Sequence, residues 1–169
     1  LSQRKSQKRL CRMRLVVTGA TGFIGSHIVA AAKSQGLNTY APSRNQLYTN
    51  PDFNHGDIII HCAAAIPRKK EETDQRFLSK ANVELTSTLA KAAVHVRAQR
   101  FIFLSSIAAM GEATPPNKAF TVTDELSPAN HYGKSKKEAE DTLRRILEPT
   151  DVDFCIIRAP LVYGPGVKT

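Results

Sequence analysis

The sequence of 169 residues contains no tryptophan, only three cysteines and no long hydrophobic run. A membrane-spanning helix needs about 18 or more predominantly apolar residues in succession, and no stretch of this chain approaches that length. Cys11, Cys62 and Cys155 lie far apart and form no CxxC pair, so they predict neither a disulfide framework nor a zinc site. These absences favour a cytoplasmic protein with reduced thiols, without a membrane segment and without a bound metal.

The positive charge is concentrated at the start of the chain. The formal net charge of +9 falls to +4 when residues 1–12 are left out, because five lysines and arginines and no acidic residue precede Met13. A strand-like apolar pattern begins directly after Met13, so we interpret Met13 as the natural start and residues 1–12 as an added or upstream, disordered basic extension. A basic arm that binds nucleic acid or acidic lipid is the alternative for this segment. We otherwise expect no nucleic-acid or membrane partner.

Short apolar runs alternate with helix-like stretches, which is the pattern of an α/β fold with a parallel sheet. The pattern predicts helices over 23–35, over 77–96 and from Pro128 to about 147, and strands at 14–18, 39–41, 57–62, 101–104 and 153–158. The continuously apolar 57–62 run predicts a strand that is buried on both faces. Only residues 45–56 separate the second strand from the third, whereas a crossover alone needs about a dozen residues or more. We therefore predict a Rossmann-like doubly wound parallel sheet in which one βα unit near 45–56 is missing or collapsed into a loop.

Three glycines, Gly19, Gly22 and Gly25, lie between the first predicted strand and the first predicted helix. In a phosphate-binding turn the first glycine permits the tight turn, the second lets backbone amides approach a pyrophosphate, and the third allows close packing. The positive end of the helix dipole then faces the phosphates. The spacing is GxxGxxG rather than the GxGxxG of the dinucleotide fingerprint. Its position between a strand and a helix nevertheless predicts a dinucleotide site.

The stretch 18–25, TGATGFIG, resembles the nucleotide-binding motif of the extended short-chain dehydrogenases/reductases, the NAD-dependent epimerase/dehydratase family. The resemblance implies a partial NAD(P)-binding Rossmann domain over 13–169, with the C-terminal substrate domain of the complete family members absent. It also implies that the backbone amides of Phe23 and Ile24 bind the pyrophosphate. The further cofactor-site residues that it implies are Ala63 and Ala64 at a strand end, Asn82 in the following helix, and Pro160 against the nicotinamide.

Tyr132 and Lys136 lie four residues apart near a predicted helix start, so they share one helix face. A nearby ammonium group favours the phenolate and lowers the pKa of a tyrosine from about 10, which suits proton exchange with a sugar hydroxyl. Ser105 and Ser106 close an upstream strand, and open α/β sheets place their sites at such strand ends. The resemblance implies that Ser106 binds the sugar oxygen and that Tyr132 moves its proton. It also implies that Lys136 holds the nicotinamide ribose, with Ser105 beside the cofactor.

The residues after Ser106 narrow the implied chemistry. Sugar dehydratases of the family carry an Asp-Glu pair there, whereas this chain has Ile107 and Ala108, so we exclude dehydration. The resemblance then implies a 4-epimerase or a 4-keto reductase for a nucleotide sugar, with a UDP-sugar as the expected substrate. The stretches 105–114, 132–140 and 159–168 together resemble bacterial epimerase/reductase proteins of lipopolysaccharide O-antigen synthesis, so we expect a role there. We expect the 169-residue chain to be inactive alone, and a homodimer is an expectation for the full-length protein.

A non-catalytic dinucleotide-binding module is the alternative function. It is favoured by the short 45–56 segment and by Leu161, which stands where many family members have a substrate-binding asparagine.

The choice between NAD and NADP stays open. NAD recognition uses an acidic residue about 20 positions beyond the glycines, and residues 40–45 contain none. Arg44 lies in that stretch and would pair with the 2′-phosphate of NADP, stack on the adenine or point into solvent. The resemblance favours NAD.

Overall fold

The computed structural model describes residues 13–67, 74–114 and 116–167. The predicted basic extension 1–12, with Cys11, lies outside the described residues. The first half of the fold consists of strand β1, helix α1, strand β2, helix α2 and strand β3. Their bounds are Arg14–Thr18, Phe23–Ser34, Asn38–Tyr40, Arg44–Thr49 and Ile58–His61.

A long helical stretch over 75–95 follows β3. It consists of helix α3, Gln75–Leu78, a π-helical segment, Ser79–Glu84, and helix α4, Leu85–His95. The remaining elements are strand β4, a 3₁₀ turn, helix α5 and strand β5, with bounds Arg100–Ser106, Ile107–Ala109, His131–Leu147 and Asp153–Ala159. None of the described helices is both long enough and apolar enough to cross a membrane.

All five strands are parallel and lie in the order β2-β1-β3-β4-β5. The doubly wound dinucleotide-binding fold has the order 3-2-1-4-5-6, and removal of its third strand gives the order seen here. The Rossmann-like α/β prediction is confirmed.

The segment between β2 and β3 is too short for a full βα unit, and the sequence predicts that this unit is missing or collapsed into a loop there. The structure instead has the short helix α2 in this segment. This helix begins with a capping box in which the Ser43 side chain accepts from the Gln46 amide and the Gln46 side chain accepts from the Ser43 amide. Leu47 from α2 and Phe53 after it are 2% and 6% exposed. The segment therefore folds because it adds two apolar side chains to the core.

The main core lies on one face of the sheet, under α2, α4 and α5. Val16, Ile59, Phe101 and Phe103 point into it and are fully buried. The prediction that β3 is buried on both faces is wrong, because only its alternate residues, Ile59 and His61, are fully buried. On its other face it is less covered, because α1 contacts β1 and β2.

The parallel arrangement brings the carboxyl ends of the strands to one edge of the sheet. Thr18 pairs with His61 across β1 and β3, and Ser106 pairs with Ala159 across β4 and β5. The glycine turn, the residues after β3 and the first turn of α5 meet at this edge. Ligands of open α/β sheets bind at this edge, so the candidate site lies here.

Candidate cofactor and catalytic site

The turn after β1 leaves no space for side chains at its first and third glycines. Gly19 has a φ of 70°, in the left-handed region that favours glycine. A Cβ atom at Gly19 would lie 2.7 Å from the Ala63 amide nitrogen, and one at Gly25 would collide with the Gly19 carbonyl. The Gly22 amide donates to that same carbonyl at 2.9 Å and closes the turn. The turn is therefore packed directly against the end of β3.

The N-terminus of α1 has no side-chain cap. Its N-cap is Gly22, and its first turn contains no acidic residue. The N-cap side chains of α2 and α5, Ser43 and Asn130, accept hydrogen bonds from backbone amides of their helices. The first amides of an α-helix have no partner within the helix and attract anions together with the helix dipole. The amides that follow Gly22, including those of Phe23 and Ile24, are suited to a phosphate group.

A buried polar relay connects β1, β3 and the long helix behind the turn. Thr86 donates its one hydroxyl proton to the Asn82 carbonyl at 2.6 Å, so its oxygen accepts from His61 Nε2 at 3.0 Å. His61 Nδ1 therefore accepts from the Thr18 hydroxyl at 2.8 Å. Burial, aided by the charge of Lys136, lowers the pKa of His61 to about 3. His61 is thus a neutral, fully hydrogen-bonded core residue.

Asn82 connects the stretch after β3 with α5. Its Oδ1 accepts from the Ala65 amide at 2.7 Å, and its Nδ2 donates to the Ala65 carbonyl at 3.2 Å and to Ser135 Oγ at 2.9 Å. Asn82 lies in the π-helical segment, and π-bulges inside α-helices occur frequently at functional sites. It therefore fixes the backbone next to Ala63 and Ala64, which are partly buried beside the glycine turn.

The Tyr132 side chain lies near Ser106, the last residue of β4. Burial raises the pKa of Tyr132, and hydrogen bonding to Ser106 lowers it by less, so its pKa is above the ordinary value. The expectation that Lys136 lowers this pKa is wrong for this structure. The Lys136 ammonium donates to the Leu104 carbonyl at 2.8 Å and lies 4.1 Å from the centre of the Phe103 ring. Lys136 thus contacts β4 through the Leu104 carbonyl and the Phe103 ring.

Lys136 is one of the most buried charged residues of the described chain, with 1% exposure. Burial lowers the pKa of Lys136 to about 7, and the neighbouring Glu140 carboxylate opposes this effect. Burial also raises the pKa of Cys62, at the end of β3, to about 11. Around neutral pH the site therefore contains a lysine near its titration midpoint, a neutral thiol and a neutral imidazole.

Sequence reasoning missed two charged residues of the site, Glu140 and Arg158. Glu140 is fully buried and accepts from Ser105 Oγ. Arg158 Nε and Nη2 donate to the same carboxylate at 3.1 Å and 2.8 Å. The signal in the sequence was the spacing of Tyr132, Lys136 and Glu140 at i, i+4 and i+8, which predicts one continuous helix stripe.

The structure brings Ser105, Ser106, Tyr132 and Lys136 together and packs the glycine turn against Ala63. Two other predicted site residues, Arg44 and Pro160, are exposed: Arg44 is the first residue of α2, and Pro160 follows β5 directly. Among the described residues, no three His, Cys, Asp or Glu side chains are grouped as metal ligands would be.

A parallel sheet of this order, with a glycine turn before an uncapped helix, defines a dinucleotide-binding domain of the Rossmann type. Residues 15–169 match the NAD dependent epimerase/dehydratase family. The chain belongs to this family, as its resemblance to the extended short-chain dehydrogenases/reductases predicted.

Two of the relatives carry the names of nucleotide-sugar enzymes. The chain is 32% identical over 174 residues to UDP-glucose 4-epimerase of Vibrio cholerae, covering 91% of this chain and 53% of that protein. It is 30% identical over 163 residues to dTDP-4-dehydrorhamnose reductase of Mycobacterium tuberculosis, covering 90% and 51%. The solved structure of MoeE5 with UDP-glucuronic acid and NAD has a TM-score of 0.78 and 26% identity, covering 92% of this chain and 56% of that one. The chain spans about half the length of the curated relatives that it matches.

Proposed function

We propose that the chain is the cofactor-binding half of an NAD-dependent nucleotide-sugar 4-epimerase or 4-keto reductase. The observation that carries this proposal is the grouping of Ser106, Tyr132 and Lys136 at the carboxyl edge of the sheet, beside the glycine turn. The names of the two relatives support both reactions, and the MoeE5 complex supports NAD and a UDP-sugar. A cytoplasmic location, a role in lipopolysaccharide synthesis and a homodimer stay predictions.

The geometry of the turn fits the diphosphate of a dinucleotide. Gly22 has no side chain at the start of α1, so an anion would approach the backbone closely there. The uncapped start of α1 would supply amides from Phe23 and Ile24. When bound, NAD would supply the hydride acceptor and, once reduced, the hydride donor. Ala63, Ala64 and Pro160 would line the cofactor on the sheet side.

Tyr132 and Ser106 would take part in the proton transfer to the sugar oxygen. Because the pKa of Tyr132 is raised, its Oη holds a proton at neutral pH and is ready to donate it to a sugar oxygen. Ser106 Oγ accepts from the Ala108 amide at 3.2 Å, which fixes the hydroxyl at the strand end for a second contact with that oxygen.

Titration calorimetry of the 169-residue chain with NAD and with NADP tests the cofactor part of this proposal. We expect NAD to bind, and the variant Arg44→Ala to leave NAD affinity unchanged because Arg44 is exposed. Tighter binding of NADP that is lost in Arg44→Ala would instead assign the arginine to a 2′-phosphate. If neither dinucleotide binds, the proposal is wrong.

Turnover of UDP-glucose and UDP-galactose tests the catalytic part. We expect no turnover by the chain alone, because it spans half the length of its relatives. A longer protein that contains this chain should be active, and Tyr132→Phe should abolish that activity while NAD still binds. Epimerisation by the 169-residue chain itself would contradict the expectation of inactivity.

A non-catalytic dinucleotide-binding module is the second candidate. Leu161 occupies the position that the family resemblance assigns to a substrate-binding asparagine, and its side chain is 86% exposed. A leucine there cannot donate or accept a side-chain hydrogen bond from a sugar diphosphate. NAD binding without turnover in the longer protein would favour this candidate.

A further inference from the structure

Three successive turns of α5 contact three successive residues at the end of β4. Tyr132 lies near Ser106, Lys136 donates to the Leu104 carbonyl, and Glu140 accepts from Ser105. The positions of the three side chains are coupled because they belong to one rigid helix. A shift of α5 along β4 would change all three contacts together.

Glu140 also connects this pair of elements to β5. Its carboxylate receives two hydrogen bonds from the fork of Arg158, and Arg158 pairs with Ser105 across β4 and β5. Arg158 Nη1 in addition lies 3.2 Å from Met110 Sδ, after the 3₁₀ turn. A bidentate arginine–carboxylate pair fixes geometry more strongly than a single hydrogen bond. One buried carboxylate therefore joins the helix that carries Tyr132 and Lys136 to two strands.

The charged and titratable groups around Lys136 come from three elements. Glu140 and Tyr132 lie on α5, His61 and Cys62 at the end of β3, and Arg158 on β5 shares the Glu140 carboxylate. His61 and Cys62 are neutral around pH 7 because burial lowers the pKa of the first to about 3 and raises that of the second to about 11. Tyr132 is protonated because its pKa is raised. Glu140, which forms an ion pair with Arg158 at 2.8 Å, supplies the carboxylate of this group.

We propose that Glu140 is a positioning residue of the site: it fixes α5 on β4 and β5, and it places a negative charge one helix turn from the buried Lys136 ammonium. The effect of Glu140 on catalysis rests on the proposed function. Its positioning role rests on its contacts with Ser105 and Arg158. Removal of the carboxylate would leave Lys136 and Arg158 as two buried cations without an anion. Lys136 would then lose its proton more easily, because the fully buried Glu140 charge favours its protonated form.

The titration of Lys136 tests this proposal without any cofactor. The chain is labelled with ¹³Cε-lysine, its Lys136 signal is assigned with Lys136→Met, and the signal is followed from pH 5 to pH 11. In Glu140→Gln we expect the titration midpoint to fall by about one to two pH units, the effect of an opposite charge within about 4–6 Å. The control is Asp141→Asn, which removes a charge from the next residue of the same helix. Asp141 is exposed and paired with Lys137, so Lys136 should titrate unchanged.

A midpoint in Glu140→Gln equal to that of the wild type would overturn the proposal, as would an equal shift in Asp141→Asn. Glu140→Gln leaves a buried arginine without its partner, which destabilises proteins strongly. The double variant Glu140→Gln/Arg158→Met removes both partners, and we expect it to fold and to lower the midpoint of Lys136 by less than Glu140→Gln does, because the positive charge of Arg158 is removed too.

NAD affinity as a function of pH separates this inference from the proposed function. If Lys136 holds the cofactor as an ammonium, wild-type affinity declines as the pH rises through about 7. In Glu140→Gln the decline should begin at lower pH, with binding about fivefold weaker at pH 7 for a midpoint one unit lower, because the wild-type lysine is already half deprotonated there. A wild-type chain that binds no NAD would refute the proposed function, while the lysine titration would still decide the role of Glu140. Equal pH profiles in both proteins would contradict that role.

Discussion

The uncapped N-terminus of α1 yields a prediction in which stability and cofactor binding change in opposite directions. In Gly22→Asp, the new carboxylate occupies the N-cap position, where aspartate is among the preferred residues. The backbone there has φ −80° and ψ 168°, which any residue adopts. A Cβ would lie 3.2 Å from the Gly19 carbonyl oxygen, a tight contact that a small shift of the turn relieves. The variant should therefore fold.

The magnitudes follow from the helix end. Aspartate at an N-cap is better than glycine by a few tenths of a kcal/mol, and the helix dipole adds about 0.3–1 kcal/mol, so stability should stay equal or rise by about 1 kcal/mol. The same carboxylate would take the amides of Ile24 and Gly25 and would repel a diphosphate. Two unit charges about 4 Å apart near a protein surface interact by about 4 kcal/mol. Half of that value already weakens NAD binding about 30-fold.

Calorimetric titration with NAD and urea unfolding measure the two effects on the same samples. Ser34→Asp is the control, because it places the same charge on the exposed opposite end of α1. It should leave NAD affinity unchanged. Unaltered NAD binding by a folded Gly22→Asp variant would refute the reasoning, because the phosphates would then not lie at this helix end.

Two further predictions concern buried titratable residues. Lys136→Met should raise the free energy of unfolding by about 1–2 kcal/mol at pH 7, because the buried ammonium is costly. Since the pKa of Lys136 falls to about 7 in the folded protein, the wild type gains stability between about pH 7 and pH 10.5, and the advantage of the variant should shrink there. An advantage that does not change with pH would contradict this explanation. The pKa of His61 is lowered from 6.5 to about 3, so the unfolded chain binds more protons between these values and stability falls as the solution is acidified. Urea unfolding at pH 7.5 and pH 5.5 should show a loss that is smaller in His61→Gln by about 1.4 kcal/mol, and equal losses would refute the buried neutral assignment.

The formation of helix α2 and the burial of only one face of β3 could not be predicted from the sequence. The apolar run of β3 indicated a buried strand, but the run alone does not say which face a helix covers. The short 45–56 segment indicated that a full βα unit does not fit. It did not indicate that Leu47 and Phe53 would fill the core from a single short helix, because their burial depends on the packing of α4 beside it.

The sequence by itself determined the parallel α/β fold, the glycine turn and the shared helix face of Tyr132 and Lys136, because each depends on local spacing, whereas Ser106 was predicted from the family resemblance. Spacing of glycines between a strand and a helix, or of side chains one turn apart, follows from backbone geometry within a few residues. Only the tertiary structure decided the electrostatics of the site. The pKa of Tyr132 is raised and that of Lys136 lowered because burial removes water from both groups, and the anion beside them comes from a carboxylate that Arg158 on another strand holds in place. Burial and contacts between distant segments are properties of the folded chain, so no local pattern contains them.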